Sequence, residues 1–293
     1  MKDKSIFIVI PVHNRKNLTR NCLISLFKQK YRHFEVIVVD DGSTDGTSEM
    51  IQKEFPEVVL LKGDGKLYWT RATNLGVEKA LQDAKEKDYI LTLNDDIVIK
   101  PVYLNKLVDS AKKFPKSLIG SIAVNAKDGR TVVDGGVRIN WLTAKFGNLG
   151  SGRRYRELIN NNSPIQSVDV LPGRGTLVPV KVFKEIGLYN ARKLPHYGAD
   201  YEFSIRAKRR GYSLLINYQT VIVSKIDATG LNNSTCVLTL GNLAKSYFSI
   251  RSPCNLYYRW NFSKLCCPWY RLLLFYTVDT IRVMLGSLRN QIF

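Results

Sequence analysis

At 293 residues, with 45% hydrophobic and 24% charged side chains, the chain has an ordinary globular composition and enough length to bury a sizeable core. Its formal net charge of +19 points instead to anionic partners: phosphate-bearing substrates, nucleic acid or an anionic membrane face. Five cysteines without a CxxC pair or a Cys/His cluster suggest neither a disulfide framework nor a zinc site, and reduced, cytosolic thiols are expected. The N-terminus lacks a signal-peptide pattern, and no apolar run reaches the roughly 18 residues of a membrane span.

In chain order, residues 5–10 read as a buried strand and residues 16–29 as a helix, with Leu18, Cys22 and Leu26 on one face. A second strand over 34–39 runs into Asp40-Asp41-Gly42-Ser43, where Ser43 is expected to cap a helix to about residue 55. A strand at 58–61, a helix at 70–87 and a strand at 89–93 complete the alternation. Strands alternating with helices imply a doubly wound, mostly parallel sheet flanked by helices. Between about 127 and 166 the pattern breaks into Gly-, Asn- and Ser-rich sequence, expected to form short hairpins and mobile loops. Order returns at 168–171, followed by Pro172-Gly173-Arg174-Gly175, a short helix at 180–186 and a helix at 200–210 closed by Gly211. From about residue 231 the chain reads as helical, basic and aromatic.

Two adjacent carboxylates, Asp95 and Asp96, end the strand of Leu91-Thr92-Leu93. Side chains alternate along a strand, so the two are expected to diverge, one free to reach a ribose and the other to hold a hard divalent cation. Open α/β sheets bind ligands at the carboxyl ends of their strands. A parallel sheet would gather four segments there: Pro11-Val12-His13-Asn14-Arg15, Asp40 to Thr47, Asp64-Gly65 through Gly76, and Asn94-Asp95-Asp96.

The combination of PVHNR, VVDDGSTDGT, GDGKLYWTRATNLG, LNDDI and GADYEFSIRAKRRGY resembles the family 2 glycosyltransferases of GT-A fold, in particular their rhamnosyltransferase-like bacterial branch. The likeness extends from about residue 5 to 230. It implies a Rossmann-like GT-A domain over 1–230, with a nucleotide-binding half to about 125 and an acceptor half from 126, followed by a helical basic extension over 231–293. It further implies a donor site of Pro11, Asn14, Arg15, Asp40, Asp41, Trp69, Arg71, Asn74 and Asp95. Asp96 would bind Mn²⁺ or Mg²⁺ bridging the diphosphate of a nucleotide-sugar, because Asn94 stands where many relatives carry a first Asp. Asp200 aligns with the catalytic base of an inverting displacement, while Ala199 replaces the Glu that usually precedes it. Glu202 would orient an acceptor or a loop, and His196 would contact the acceptor. The late metal-binding His of many relatives is missing; Lys225 could meet a phosphate, and Asp227 could replace the ligand.

Other function classes fit less well. A sugar nucleotidyltransferase would carry a Gly-rich basic loop near residues 10–18, which this chain lacks. A non-catalytic glycan- or membrane-binding module would not need Asp40, Asp96 and Asp200. Basic and aromatic residues mix in the tail, yet no nucleic-acid-binding motif accompanies them. From residue 203 onward twelve Lys/Arg face only Asp227 and Asp279, a net +10. The helix expected over 269–289 therefore reads as an interfacial helix on an anionic membrane, a core helix with a solvated stripe, or a homodimer face. A cytoplasmic enzyme resting on the inner face of a bacterial membrane, elongating a lipid-linked glycan of a surface polysaccharide, is the functional expectation.

Overall fold

Strand β1 (Ile6–Val12) is apolar on both faces, which suits a strand covered by helices on either side. Its alternate residues divide between two cores: Phe7 and Val9 pack into one, Ile6, Ile8 and Ile10 into the other. The computed structural model describes residues 5–225 and 245–292, with side chains to 286. β1 pairs in parallel with β2 (Phe34–Asp40) and with β4 (Tyr89–Thr92), and β2 pairs in parallel with β3 (Val59–Lys62). Helices α1 (Lys16–Phe27), α2 (Thr47–Glu54) and α3 (Tyr68–Asp83) make the crossovers.

Beyond β4 the sheet becomes mixed. β11 (Thr176–Pro179) runs antiparallel between β4 and β6 (Ser117–Asn125). β6 then pairs in parallel with the long β12 (Ser213–Ser224), which is bulged between Asn217 and Val221. β5 (Ile97–Ile99) and β10 (Ile165–Ser167) add antiparallel to β12, and β7 (Val132–Asp134) adds to β6. The irregular region supplies a separate hairpin, β8 (Val137–Asn140) with β9 (Lys145–Asn148), and a short helix α5 (Tyr155–Asn160). α4 (Tyr103–Lys113), α6 (Val180–Ile186) and α7 (Ala199–Arg209) cover the sheet, and Gly211 turns the chain out of α7 at φ +81°.

Helix boundaries depart from the sequence pattern at four points. α3 begins two residues early and ends at Asp83, because buried Asp88 accepts N–H bonds from Lys85 and Ser5 and pulls the chain into β4. α2 starts at Thr47 rather than after Ser43, since Gly46 takes φ +81° and Asp45 accepts from the Thr47 N–H. α1 ends at Phe27, short of the expected 29. Gly76 lets α3 lie close on β1: a Cβ there would fall 2.4 Å from Val9 Cγ1.

The C-terminal segment is helical as expected, in α8 (Leu256–Cys266), a 3₁₀ turn (Trp269–Arg271) and α9 (Leu272–Ile292). Part of it is core. Tyr258, Phe262, Cys266 and Phe275 join the same apolar cluster as Phe203 of α7, and Phe275 rests against Trp141 and Phe146. Within α9 the core-helix reading therefore holds for the Phe275–Asp279 face. Trp269, Tyr270, Leu273, Leu274, Ile281 and Leu285 remain exposed.

Candidate active site

Parallel β1, β2 and β4 deliver their carboxyl ends to one edge of the sheet, and the chemistry collects there. Arg15, just ahead of α1, places its guanidinium Nη1 3.1 Å from Asp95 Oδ1 and 3.9 Å from Asp96 Oδ2. The two acids do not diverge: β4 stops at Thr92, and the following turn aims both carboxylates at this one cation. The Asp96 side chain is 0% exposed, and neither of its oxygens, nor Asp95 Oδ2, has a hydrogen-bond partner. Burial pushes the Asp95 carboxyl up to about 6 against the pull of Arg15. It also raises Asp96, opposed by Arg15 and Arg174.

Buried carboxylate oxygens without partners are costly, and a hard divalent cation is the partner that oxygen ligands fit. The residues present suit Mg²⁺ or Mn²⁺ held mainly by Asp96. Among the described residues no group of three or more His, Cys, Asp or Glu side chains surrounds such a position, so substrate phosphates and water would complete the shell.

The acidic loop after β2 is spent largely on itself. Asp40 is buried and accepts from the Ser43 N–H at 3.0 Å and from the Ser48 hydroxyl. Asp41 accepts three N–H bonds, from Gly65, Leu67 and Tyr68 at 2.9, 3.2 and 3.0 Å, pinning the segment before α3 against β2. Asn14, at φ 52°, accepts from the Thr44 N–H, while its own N–H donates to Ser43 Oγ. Ser43 thus ties two loops together rather than capping α2. Pro11 stays within β1, opposite Val39.

Trp69 donates its indole N–H to Asn94 Oδ1 at 3.2 Å and lies over Gly173, where a Cβ would come within 2.2 Å of the ring. Arg71 is exposed on α3, and the Asn74 amide clamps both the N–H and the carbonyl of Tyr189. Neither lines the cavity described next.

A cavity of about 500 Å³ opens in front of Arg15 and Asn94, bounded also by Trp69, Arg174, His196 and Asp200. Asp200 stands in the first turn of α7, after Gly198 at φ +80°. Its Oδ2 accepts the Gly173 N–H at 2.8 Å and its Oδ1 the Tyr201 N–H at 2.9 Å. Burial raises its pKa, those two N–H groups lower it, and the nearby charge of Asp134 raises it further. Burial, helped by Arg251 and Arg15, pushes His196 down to about 4, so its ring is neutral at pH 7 and its Nδ1 accepts the Trp69 N–H at 3.4 Å.

Glu202 belongs to the frame instead. It forms a two-point ion pair with Arg206, both contacts 2.9 Å, and Arg206 also binds the carbonyls of Ile186 and Leu188. Glu202→Ala is expected to lower stability by about 2 kcal/mol, the cost of leaving charge-assisted bonds unmade, while an acceptor KM stays near that of the native chain. Denaturant unfolding beside steady-state kinetics checks this; a raised KM at unchanged stability would return Glu202 to the acceptor site. Lys225 is exposed, and its N–H donates to the Asp96 carbonyl. Asp227 lies outside the described residues.

Four charged cavity residues escape sequence reasoning. Arg174 sits 3.4 Å from buried Asp134, and Arg259 of α8 pairs with Asp279 of α9. The Pro172–Gly175 turn was a visible signal for Arg174. Asp134 lies in sequence without a pattern, and the tail reads as surface.

The fold is that of the GT-A glycosyltransferases: 96% of the chain superposes on 56% of GalNAc-T7, solved with UDP, GalNAc and Mn²⁺, at a TM-score of 0.62 and 16% identity. Residues 7–187 match glycosyl transferase family 2, and the chain belongs to that family. It is similar to glycosyltransferase GlyA of Streptococcus pneumoniae, 32% identical over 108 residues, or 36% of this chain and 15% of that protein. It is also 26% identical over 233 residues to the N-acetylglucosaminyl-diphospho-decaprenol L-rhamnosyltransferase of Mycobacterium tuberculosis, covering 71% of this chain and 72% of that one. The chain thus spans only a small part of GlyA and most of the rhamnosyltransferase.

Proposed function

We propose that this chain is an inverting, metal-dependent glycosyltransferase that moves a hexose or deoxyhexose from a nucleotide-diphosphate-sugar to a hydroxyl of a glycan. The observation that supports it best is the buried carboxylate pair beside Arg15, three of whose four oxygens lack a hydrogen-bond partner, with a third, separately held carboxylate, Asp200, in the adjoining cavity. The first 125 residues serve the donor, residues 126–230 the acceptor, and the extension adds the far wall of the cavity.

In this reading Asp95 meets the donor ribose. Arg15 and Arg174 face the diphosphate, and the Asp40 and Asp41 loop shapes the base pocket. Asp96 would hold a divalent cation, which when bound would supply positive charge to balance the diphosphate leaving group. Asp200 takes the acceptor proton while the freed oxygen attacks the anomeric carbon from the face opposite the diphosphate, which departs with the bonding electrons. Trp69 and neutral His196 form one wall of the acceptor space. Screening nucleotide-sugars, deoxythymidine- and uridine-linked donors included, with Mn²⁺ and a bacterial glycolipid extract tests the proposal. Release of nucleoside diphosphate that depends on the extract supports it, and no release with any donor overturns it.

The acceptor is lipid-linked and the enzyme works peripherally on the inner membrane face. The mycobacterial relative, an N-acetylglucosaminyl-diphospho-decaprenol L-rhamnosyltransferase by name, supports this, and so do the exposed Trp269, Leu273 and Leu285 of the tail, which also exposes Lys264 and Arg282. No helix among the described residues is long and apolar enough to cross a membrane. Exposed apolar side chains and cations in one segment suit an anionic leaflet, where each nearby Lys or Arg adds roughly 1 kcal/mol. Trp269→Ser/Leu273→Ser/Leu285→Ser is expected to weaken flotation with phosphatidylglycerol vesicles at least about tenfold, given roughly 1.5 kcal/mol or more per buried large side chain. Unchanged flotation, or none by the native chain, leaves this face a packing or dimer surface.

A further inference from the structure

A second cavity, of about 510 Å³, shares no wall residue with the first. It lies where the end of β5, the turn after β6 and the start of α5 meet, and four cations line it: Lys100, Arg130, Arg154 and Arg156. Tyr155 and Ile159 supply its less polar side, and Gly129, at φ +62°, leaves room for entry.

The backbone that carries these cations is firmly tied. The buried Gln29 amide donates to the Lys100 carbonyl at 2.8 Å, and the Tyr103 N–H donates to the same oxygen. Asp128 accepts from the Arg130 and Thr131 N–H groups at 3.0 Å, and the Tyr155 N–H donates to the Arg130 carbonyl at 2.8 Å. A β-bridge joins Thr131 to Arg154, and the Tyr155 hydroxyl reaches the Tyr218 carbonyl of β12. Three separate segments thus converge their cations by main-chain bonds, not by the chance of long side chains.

No carboxylate lines this cavity, and none of the four cations has an ion-pair partner among the described residues. The acids nearest in sequence to the three arginines are Asp128, whose oxygens are committed to its own turn, and Glu157, exposed on α5, while Asp96, four residues before Lys100, is turned to Arg15. Like charges held together in a concavity repel one another and raise the local concentration of anions. Three guanidinium forks are suited to tetrahedral oxyanions, which they bind with paired, charge-assisted hydrogen bonds.

We propose that this cavity binds a phosphate-bearing ligand with two or more negative charges, either a free phosphate ester or diphosphate, or the headgroup of an anionic lipid. The site is independent of the glycosyl-transfer reading, because it shares none of that cavity's residues. The four cations would neutralise the ligand, and Tyr155 and Ile159 would contact the organic part that carries it.

The test uses the full chain in excess EDTA, so that metal-assisted binding at the donor site is silent. Inorganic pyrophosphate is titrated calorimetrically into the native protein, Arg130→Gln/Arg156→Gln and the charge-matched control Lys53→Gln/Lys112→Gln, two exposed lysines that line neither cavity. Replacing the arginine pair is expected to weaken binding at least about tenfold, two charge-assisted contacts being lost, whereas Lys53→Gln/Lys112→Gln binds like the native chain. Phosphatidylglycerol and phosphatidylcholine vesicles form the second arm. Binding of the anionic vesicles that falls in Arg130→Gln/Arg156→Gln, without pyrophosphate binding, assigns the site to a lipid headgroup. Should the double variant fail to fold, Lys100→Gln/Arg154→Gln serves in its place. If neither probe distinguishes these variants from the native protein, the proposal is overturned.

Discussion

Asp96→Ala is expected to abolish metal-dependent donor binding while leaving the fold as stable as before or more so. Both Asp96 oxygens are buried without hydrogen-bond partners, so removing them relieves a desolvation cost. The same change leaves the diphosphate facing Asp95 without a bridging cation. Two like charges about 4 Å apart repel by about 4 kcal/mol at an effective dielectric near 20, enough to weaken binding by roughly three orders of magnitude. Titrating a nucleotide-sugar with and without Mn²⁺, beside thermal unfolding of both proteins, separates loss of the site from loss of the fold. Native-like transfer by Asp96→Ala, or by the native enzyme in excess EDTA, would falsify the metal assignment.

Asp200→Asn is expected to lower turnover ~10²–10⁴-fold with donor affinity nearly unchanged, because it keeps the shape and removes the proton acceptor. Asn retains one oxygen, so one of the two N–H bonds from Gly173 and Tyr201 persists. The pH dependence follows from the direction of the Asp200 shift. Its pKa is raised by burial, and a general base works only when ionised. Turnover should therefore be full well above that pKa and fall as pH drops through it, at a pH above the ordinary carboxylate range. In Asp200→Asn this acid limb should vanish along with most of the rate. An unchanged limb would place the base elsewhere. An equal loss of donor binding would make Asp200 part of the donor site.

Asp134 and Arg174 bear on the same profile, since Asp134 raises Asp200 and Arg174 sits between Asp134 and the Asp96 side of the cavity. The turn that carries Arg174 also donates the Gly173 N–H to Asp200. Main-chain geometry thus fixes the position of Asp200 relative to Arg174.

Local pattern determined a great deal of this protein. The near-continuous apolar runs of β1, β2 and β4 required strands buried on both faces, and a parallel strand followed within a few residues by Asp95-Asp96 puts acids at the ligand edge wherever the rest of the chain lies. Gly198, Asp200 and Gly211 marked the ends of α7 through backbone preferences that act within a few residues. Tertiary structure decided the uses of side chains whose partners are distant in sequence. Asn74 binds Tyr189, Asp41 binds the 65–68 segment, and Glu202 is consumed by an arginine that also holds the 186–188 turn. A motif gives a residue's type and spacing, but not which buried N–H or cation will claim it. The tail shows the same limit. Its periodicity gave a helix with apolar and basic faces, yet only packing could choose Phe275 and Asp279 as the inward side, because a helix that is apolar around most of its circumference does not by itself name the face to be buried.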